Sequence, residues 1–260
     1  MSAEQLNQME PFYPLHVYVC EKCFLVQLEE FVSPEDIFQE YAYFSSYADT
    51  WLQHAKTYTD LMVERFNLGA SNQIVEVASN DGYLLQYFIE KGIPVLGIEP
   101  ARNVAKVAIE KGVPTLMEFF GQECALRLST EGRQADLIVG NNVLAQVPDI
   151  NDFVAGMKIL LKHQGVITIE FPHLMCLVAE NQFDTIYHEH FSYFSFITAQ
   201  KIFAAHGLTL FDVEELPTHG GSLRIYACHA EDTSKPVSDR VKDLERRERQ
   251  AGIMEMDYYS

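Results

Sequence analysis

The sequence predicts an α/β fold built around a seven-stranded, Rossmann-like sheet with a small N-terminal β-hairpin and helical appendage. The first observation is the stretch 74–83, IVEVASNDGY, in which an apolar run breaks at a polar turn and leads into a helical pattern. Such a stretch is typical of the first strand–turn–helix unit of a nucleotide-type fold. The second observation is the regular alternation of apolar strands and helices that follows. The third is the short PTHGG link between the last two strands, which favours an antiparallel pair.

The individual elements can be assigned in chain order. Residues 12–27 alternate apolar and polar side chains around a CEKC turn, which predicts a hairpin with Cys20 and Cys23 near its tip. Ser33 and Pro34, followed by two acids, predict a helix over 33–41, and the amphipathic stretch 50–66 predicts a longer one. Strands are predicted at 74–78, 95–99, 115–118, 137–141, 166–171, 208–216 and 222–229, and helices at 83–91, 102–111, 122–128, 150–161 and 199–206. The charged segment after residue 236 is predicted to be a solvated helix.

Composition excludes several classes of partner. The 260 residues carry a net charge of −18, which repels nucleic acids and anionic membranes but leaves room for a phosphorylated small molecule beside a local basic group. No apolar run reaches the roughly 18–20 residues of a membrane span, and no basic and apolar leader opens the chain. Five cysteines argue against a disulfide framework. We therefore expect a cytoplasmic protein with no membrane and no nucleic-acid partner.

The turn after the first strand indicates which cofactor the fold would bind. Glu99 ends the second predicted strand, where a carboxylate can accept hydrogen bonds from both hydroxyls of a ribose. The turn reads ASNDG and lacks the glycines that let a pyrophosphate approach the backbone, so a dinucleotide is disfavoured. A cofactor with ribose and adenine but no phosphate fits better, and S-adenosylmethionine (SAM) is the common one.

Ligands of an open α/β sheet bind outside the carboxyl ends of the strands, and this rule selects the candidate cofactor-binding residues. Phe119 could stack on adenine, although a core position is the more ordinary role for such a side chain. Glu99 could equally be a surface acid, but the strand before it favours the ribose. The predicted set is Glu76, Ala78, Asn80, Asp81, Gly82, Glu99, Pro100, Phe119, Asn141, Asn142 and Val143.

The segment 187–193, YHEHFSY, holds the densest polar cluster of the chain. Burying such side chains without a function or partners is costly. Acid–base catalysis is one interpretation, with an imidazole as base, a carboxylate fixing its tautomer and phenols polarising a carbonyl. A metal site at His188 and His190 is a second, and a hydrogen-bonded polar patch is a third.

Two further motifs leave alternatives open. Cys20 and Cys23 form half of a zinc site, with His16 as a candidate third ligand, so zinc binding stays open. The segment HGGSLR places His219, Ser222 and Arg224 near a glycine turn, which suits either substrate binding or a simple β-turn.

Six motifs in order resemble the nucleotide-sugar C-methyltransferases of branched deoxysugar biosynthesis. They are VEVASNDGYLLQYF, GIEPARNVA, NNVLAQVPDI, GVITIEFPHL, YHEHFSYFS and HGGSLR. The resemblance implies a SAM-dependent enzyme with a class I methyltransferase fold, a zinc-binding N-terminal module and a C-terminal domain. It implies methylation of a dTDP-linked 4-keto-deoxysugar at the carbon next to the ketone.

The resemblance also assigns roles at the active site. His190 resembles the base, Glu189 is expected to hydrogen-bond to it, and Tyr187 and Tyr41 are expected to donate to the enolate oxygen formed before methyl transfer. Tyr43 rivals Tyr41 for the last role. The residues expected to contact the substrate are Tyr43, Ser45, Gln146, His188, His219, Ser222 and Arg224.

Three departures from the family pattern matter. Gln146 stands where the family usually carries a histidine, no second C-x-x-C precedes CEKC, and the chain stops early in the C-terminal domain. We therefore expect residues 1–48 to be a remnant of the zinc-type module, 49–231 the methyltransferase domain, and 232–260 a charged helical tail leading to an absent domain. A second polypeptide is a candidate supplier of that domain. A non-catalytic SAM-binding scaffold and an O- or N-methyltransferase of a small metabolite are the alternative functions.

Overall fold

The computed structural model describes residues 6, 9–10, 12–38 and 40–259. The strands are β1 (Val17–Val19), β2 (Val26–Leu28), β3 (Ile74–Val77), β4 (Val95–Ile98), β5 (Thr115–Leu116), β6 (Ala135–Asn141), β7 (Leu161–Pro172), β8 (Ser192–Tyr193), β9 (Leu208–Leu216) and β10 (Ser222–His229). The helices are α1 (Pro34–Phe38), α2 (Asp49–Phe66), α3 (Leu85–Glu90), α4 (Arg102–Glu110), α5 (Gln122–Thr130), α6 (Ile150–Leu160), α7 (Leu174–Ala179), α8 (Phe196–Ala205) and α9 (Asp239–Ala251).

Seven strands form the central sheet in the order β5-β4-β3-β6-β7-β10-β9. The strands β3 to β7 pair in parallel, and β10 runs antiparallel to both β7 and β9. This order confirms the predicted seven-stranded α/β fold. The order reverses direction between β3 and β6, the switch point where open sheets leave a crevice for ligands.

The sheet separates two apolar layers because successive side chains of a strand point to opposite faces. Val75 and Val77 belong to one layer, which also contains the inner face of α6. Ile74 and Leu137 belong to the other layer, which is covered by α2 and α3. All four residues of β3 are buried, as expected for a parallel strand with helices on both sides.

The predicted N-terminal hairpin is present, with Cys20 and Cys23 in the turn between β1 and β2. The sequence did not reveal that β8 pairs with β2 and makes a three-stranded sheet. The amide of Leu28 also donates to the carbonyl of Phe191 at 3.0 Å. The appendage therefore holds the segment that follows the YHEH motif.

The predicted C-terminal helix is present as α9, but it is not merely solvated. Val241, Leu244 and Glu248 are buried on its inner face. The carboxylate of Glu248 accepts from the backbone amides of Phe196 and Ile197 at 2.6 and 2.8 Å, and so caps α8. The cap begins α8 at Phe196, three residues before the predicted start.

No helix of the described part of the chain is long and apolar enough to cross a membrane.

Candidate active site

A cavity of about 680 Å³ opens at the carboxyl ends of β3, β4, β6 and β7. Its walls come from the sheet edge, from the segment 41–45 and from the loops after β6 and α7. The lining includes Tyr41, Tyr43, Ser45, Trp51, Ala78, Asn80, Tyr83, Glu99, Pro100, Phe119, Asn141, Asn142, Val143, Gln146, Tyr187, His190 and His219. Most of the predicted cofactor and catalytic residues therefore face one space.

Glu99 is held rigidly at the end of β4. One carboxylate oxygen accepts from the amide of Asn80 at 2.9 Å, and the other accepts from the amide of Ala101 at 2.9 Å. Burial raises the pKa of Glu99, and both amide donors oppose that rise. Each carboxylate oxygen keeps a further lone pair, so the geometry suits a ligand diol.

The turn after β3 adopts backbone conformations that are typical of a turn in contact with a ligand. Ala78 and Asn80 have φ values of 57° and 49°, which are uncommon outside glycine and cluster at functional sites. Gly82 has φ of 77°, and a Cβ there would lie 2.8 Å from Val113. Gly82 thus permits close packing of the turn and does not line the cavity itself, and its predicted contact with the cofactor stays a prediction.

Two predicted cofactor acids are buried beside the turn. The Asp81 carboxylate is fully buried and pairs with the Lys111 ammonium at 3.0 Å and with the Ser46 hydroxyl. Glu76 is fully buried below the turn, and burial raises its pKa well above the usual range. Neither side chain belongs to the cavity lining, and the cofactor contacts predicted for both stay predictions.

Polar atoms without protein partners lie along the wall of the cavity. Among the described residues, both side-chain amide atoms of Asn141 and the Oδ1 of Asn142 are buried without a hydrogen-bond partner. Unpaired buried polar groups are rare and costly, and a ligand is one way of satisfying them. Together with Glu99, they fit a cofactor that carries a ribose and an amino-acid group.

The segment 41–47 is fastened to the cofactor turn by two asparagines. Asn103 accepts from the amide of Tyr41 at 3.0 Å and donates to its carbonyl at 2.7 Å. Asn80 accepts from the amide of Ser45 at 2.9 Å and donates to the carbonyl of Tyr43 at 3.1 Å. Tyr41 is therefore positioned by the same structure that shapes the cofactor end. The motif GIEPARNVA contained Asn103, but nothing in its spacing pointed to this role.

His190 has a defined tautomer. Its Nδ1 lies 3.1 Å from the carbonyl of Thr185, which can only accept, so Nδ1 carries the proton. Its Nε2 lies 3.0 Å from the Tyr187 hydroxyl and is left as the acceptor. Burial lowers the pKa of His190, which favours the neutral ring. The geometry suits a base that acts through Nε2.

Glu189 has a different partner from the one predicted. Both ring nitrogens of His190 are engaged elsewhere, so the tautomer is fixed by the Thr185 carbonyl instead of by Glu189. The Tyr41 hydroxyl donates to the Glu189 carboxylate at 3.5 Å. Burial and the charge of Glu189 raise the pKa of Tyr41 to about 12, so the phenol stays protonated.

The predicted substrate contacts divide into two groups. Tyr43, Ser45, Gln146 and His219 line the cavity. His219 has φ of 51°, and its Nε2 accepts from the Asn142 amide at 2.7 Å.

The other three predicted substrate contacts have protein partners outside the lining. The His188 Nε2 meets the Pro14 carbonyl at 3.0 Å, and the Ser222 hydroxyl donates to the Thr218 carbonyl at 2.9 Å. Arg224 is 4% exposed, and its guanidinium contacts Glu170 at 2.6 Å and Glu214 at 3.0 Å. The interpretation of Arg224 as a substrate ligand is therefore corrected to a buried ion pair.

An aromatic group at the N-terminus of α2 was not predicted from the sequence. Trp51 stacks on His54 with ring centroids 4.9 Å apart and contacts the edge of His219 at 5.3 Å. Tyr83 lies on its other side at 6.0 Å. Trp51 is the single tryptophan of the sequence, a signal that could have drawn attention to it.

Among the described residues, no further ligand joins the cysteine pair at a zinc site. Four ligands are usual for structural zinc, and Cys20 with Cys23 supplies two. Across residues 6, 9–10, 12–38 and 40–259, no group of three or more His, Cys, Asp or Glu side chains could hold a metal ion. The same finding leaves the metal interpretation of His188 and His190 without further ligands.

Comparison with known proteins places these features in context. A methyltransferase-domain family matches residues 50–213, more than half of the chain. A zinc binding domain family matches residues 1–38, and the family of C-methyltransferase C-terminal domains matches residues 217–260. The domain expected to be absent is thus represented in part, and the predicted second polypeptide gains no support.

A curated relative is the C-methyltransferase NovU of Streptomyces niveus, 38% identical over 250 residues. The match covers 96% of this chain and 59% of that protein, so the chain spans less than two thirds of that relative.

Two solved structures share the fold. Magnesium protoporphyrin IX methyltransferase from Synechocystis PCC 6803 with bound SAH has a TM-score of 0.54 at 14% identity, covering 68% of this chain and 83% of that chain. The PH0226 protein from Pyrococcus horikoshii OT3 has a TM-score of 0.57 at 11% identity, covering 72% and 94%.

Proposed function

Given that this chain belongs to the SAM-dependent methyltransferase family, we propose that it methylates a carbon next to the ketone of a nucleotide-linked 4-keto-deoxysugar. The observation that carries the proposal is that His190, Tyr187 and Tyr41 line the same cavity as Glu99. A base and two phenols within one cavity are what enolate formation requires. The relative NovU is itself named a C-methyltransferase.

Cofactor binding is proposed at the β3–β4 end of the cavity. Glu99 would accept hydrogen bonds from the ribose hydroxyls. The side-chain amide of Asn141, which has no protein partner, would hydrogen-bond to the amino-acid group of the cofactor. Phe119 and Pro100 would enclose the adenine. When bound there, SAM supplies an electrophilic methyl group.

Proton removal is assigned to His190. Its Nδ1 donates to Thr185, so Nε2 is the unprotonated nitrogen, and it would take the proton from the carbon next to the ketone once the Tyr187 hydroxyl turns from it to the substrate. Burial lowers the pKa of the ring and so favours the neutral imidazole, the form that can accept this proton. A positioned general base contributes typically about 10²–10⁴-fold to a rate.

The oxygen of the enolate needs donors that remain protonated. The pKa values of Tyr41 and Tyr187 are both raised by burial and by the charge of Glu189. Their hydroxyls are therefore donors at neutral pH, and Glu189 orients the Tyr41 hydroxyl by accepting from it. Donors of this kind are each worth about 10²–10³-fold in other enzymes.

The test separates binding from chemistry. Calorimetric titration with S-adenosylhomocysteine, with and without a dTDP-linked 4-keto-sugar, measures whether both ligands bind. His190→Asn should bind the cofactor product with unchanged affinity and lose methyl transfer by about 10²-fold or more. If that variant retains full methyl transfer, the base is another group. If the folded chain binds neither ligand, the methyltransferase proposal fails.

A second candidate is favoured by the charge of the cavity. Its lining includes Glu35, Asp149, Asp152 and Asp184 besides Glu99, and its described residues include no lysine or arginine. The diphosphate of a sugar nucleotide would therefore have to stay outside the cavity, because the acidic lining repels it. An uncharged or cationic metabolite could enter the cavity completely. Methylation of oxygen or nitrogen on such a metabolite is the alternative. Comparing a 4-keto with a 4-hydroxy sugar nucleotide decides, since only the ketone form can give an enolate.

A further inference from the structure

A second reactive cluster lies where β7 meets the C-terminal helix. The Sγ of Cys176 lies 3.6 Å from Nδ1 of His173, and Nε2 of the same ring lies 2.6 Å from the Glu248 carboxylate. His173 is 1% exposed and Glu248 is fully buried, so both are held in place. The arrangement is a thiol, an imidazole and a carboxylate in line, which is the pattern of an activated nucleophile.

The electrostatics of the cluster favour a protonated His173 ring beside the sulfur. Burial alone would lower the pKa of His173, but the Cys176 sulfur and the Glu248 carboxylate together raise it to about 9. An imidazolium beside a thiol stabilises the thiolate, which is the reactive form. Cys176 is partly exposed, whereas Cys124 and Cys228 are buried. Burial raises the pKa of both of those thiols.

We propose that Cys176 is a modification site for peroxides and small carbon electrophiles. With hydrogen peroxide, the sulfur attacks one oxygen as the O–O bond breaks, so sulfur is oxidised to sulfenic acid and the peroxide is reduced. The hydroxide that leaves takes the proton that the thiol had given to His173, and water is formed. With an alkyl halide, an S–C bond forms and halide leaves.

Modification at this sulfur is transmitted to the cavity through the turn 218–221. A Cβ atom on Gly221 would lie 3.0 Å from the Cys176 sulfur, so that side has no room for an added atom. The amide of His173 donates to the Gly221 carbonyl at 3.0 Å, which ties the two segments together. Two residues earlier, His219 lines the cavity and contacts the edge of Trp51. An adduct on Cys176 must therefore displace the turn or the helix that carries the sulfur.

The single tryptophan provides the readout. In the full chain carrying Cys20→Ser and Cys23→Ser, limiting iodoacetamide or hydrogen peroxide is added and each cysteine is followed by mass spectrometry. Cys176 should react at least about tenfold faster than Cys124 and Cys228. Trp51 fluorescence should change with the same rate constant, and it should stay constant when Cys176→Ser is added.

Two variants test the activation. Glu248→Gln keeps the shape of the cluster and removes its charge, and His173→Gln removes the imidazole. Each should slow Cys176 modification by about tenfold. Modification of Cys124 and Cys228 reports whether a variant is still folded.

Equal modification rates for Cys176 and the two buried cysteines in the otherwise unchanged chain would overturn the proposal. So would an unchanged Cys176 rate in a folded His173→Gln variant. If both variants unfold, the rate ratio and the fluorescence of the Cys20→Ser, Cys23→Ser chain decide alone. The proposal does not depend on the proposed methyl transfer, because neither readout involves it.

Discussion

Replacing Asn103 by alanine tests whether catalysis depends on how Tyr41 is held. The change removes two hydrogen bonds, at 3.0 Å to the amide and 2.7 Å to the carbonyl of Tyr41. Each such bond contributes about 0.5–1.5 kcal/mol net, so the segment loses roughly 1–3 kcal/mol of ordering free energy. A tenfold change corresponds to about 1.4 kcal/mol, so kcat should fall by roughly 5–150-fold.

The assay measures kcat and KM separately for the methyl donor and the acceptor. The KM for the donor should change less than about twofold, because Glu99 and its own amide donors remain intact. Asn103→Asp should be at least as damaging, because its carboxylate faces the Tyr41 carbonyl without a donor. Asn151→Ala is the matched control: its exposed side chain contacts the half-buried ring of His206 at 3.0 Å, and α6 holds it outside the cavity lining.

The double variant sharpens the test. With Tyr41→Phe already present, Asn103→Ala should cost little more, since no hydroxyl remains to be positioned. The reasoning fails if kcat of Asn103→Ala stays within about twofold of the unchanged chain, or if the two changes multiply fully.

Three other outcomes are expected. Because the pKa of His173 is raised in the folded state, the ring contributes stability that is complete below about pH 6.5 and is lost as the pH rises through about 9. Denaturant titrations should show this decline in the free energy of unfolding. Glu248→Gln should make the decline smaller. Arg224→Met should lower the free energy of unfolding by about 3–5 kcal/mol, because it leaves Glu170 as a buried charge with fewer partners. A loss below about 1 kcal/mol, measured by denaturant titration, would contradict the ion-pair assignment. The acid limb of the kcat/KM profile should have its midpoint below the 6.5 of ordinary imidazole, because burial lowers the pKa of His190; a midpoint above 7 would argue for another base.

The strands, and the turn and acid beside the cavity, could be predicted because the sequence patterns that indicate them are local. The apolar runs of β3 and β4, the break after Val77 and the acid at position 99 each lie within a few residues of one another. Strand period and turn chemistry act over that distance. The antiparallel β9–β10 pair was predicted with its observed boundaries for the same reason.

The choice of polar partners could not be predicted because it depends on residues far apart in the chain. Tyr41 and Glu189 are separated by 148 positions, and Arg224 and Glu170 by 54. The sequence indicated that these groups were unusual, but a long side chain can reach several partners, and only packing selects one. His190 shows this clearly, since its tautomer is set by a backbone carbonyl that no side-chain pattern reveals.

By itself, then, the sequence determined the seven strands of the sheet, the antiparallel pairing of the last two and the polar segments that follow the strands. The tertiary structure decided that β8 joins the N-terminal hairpin, and that α9 docks through Glu248. It also turned Arg224 away from the cavity. The physical reason is that the periodicity of a strand or helix depends on neighbouring residues. A charge can be buried only when segments far apart in the chain supply its hydrogen-bond partners.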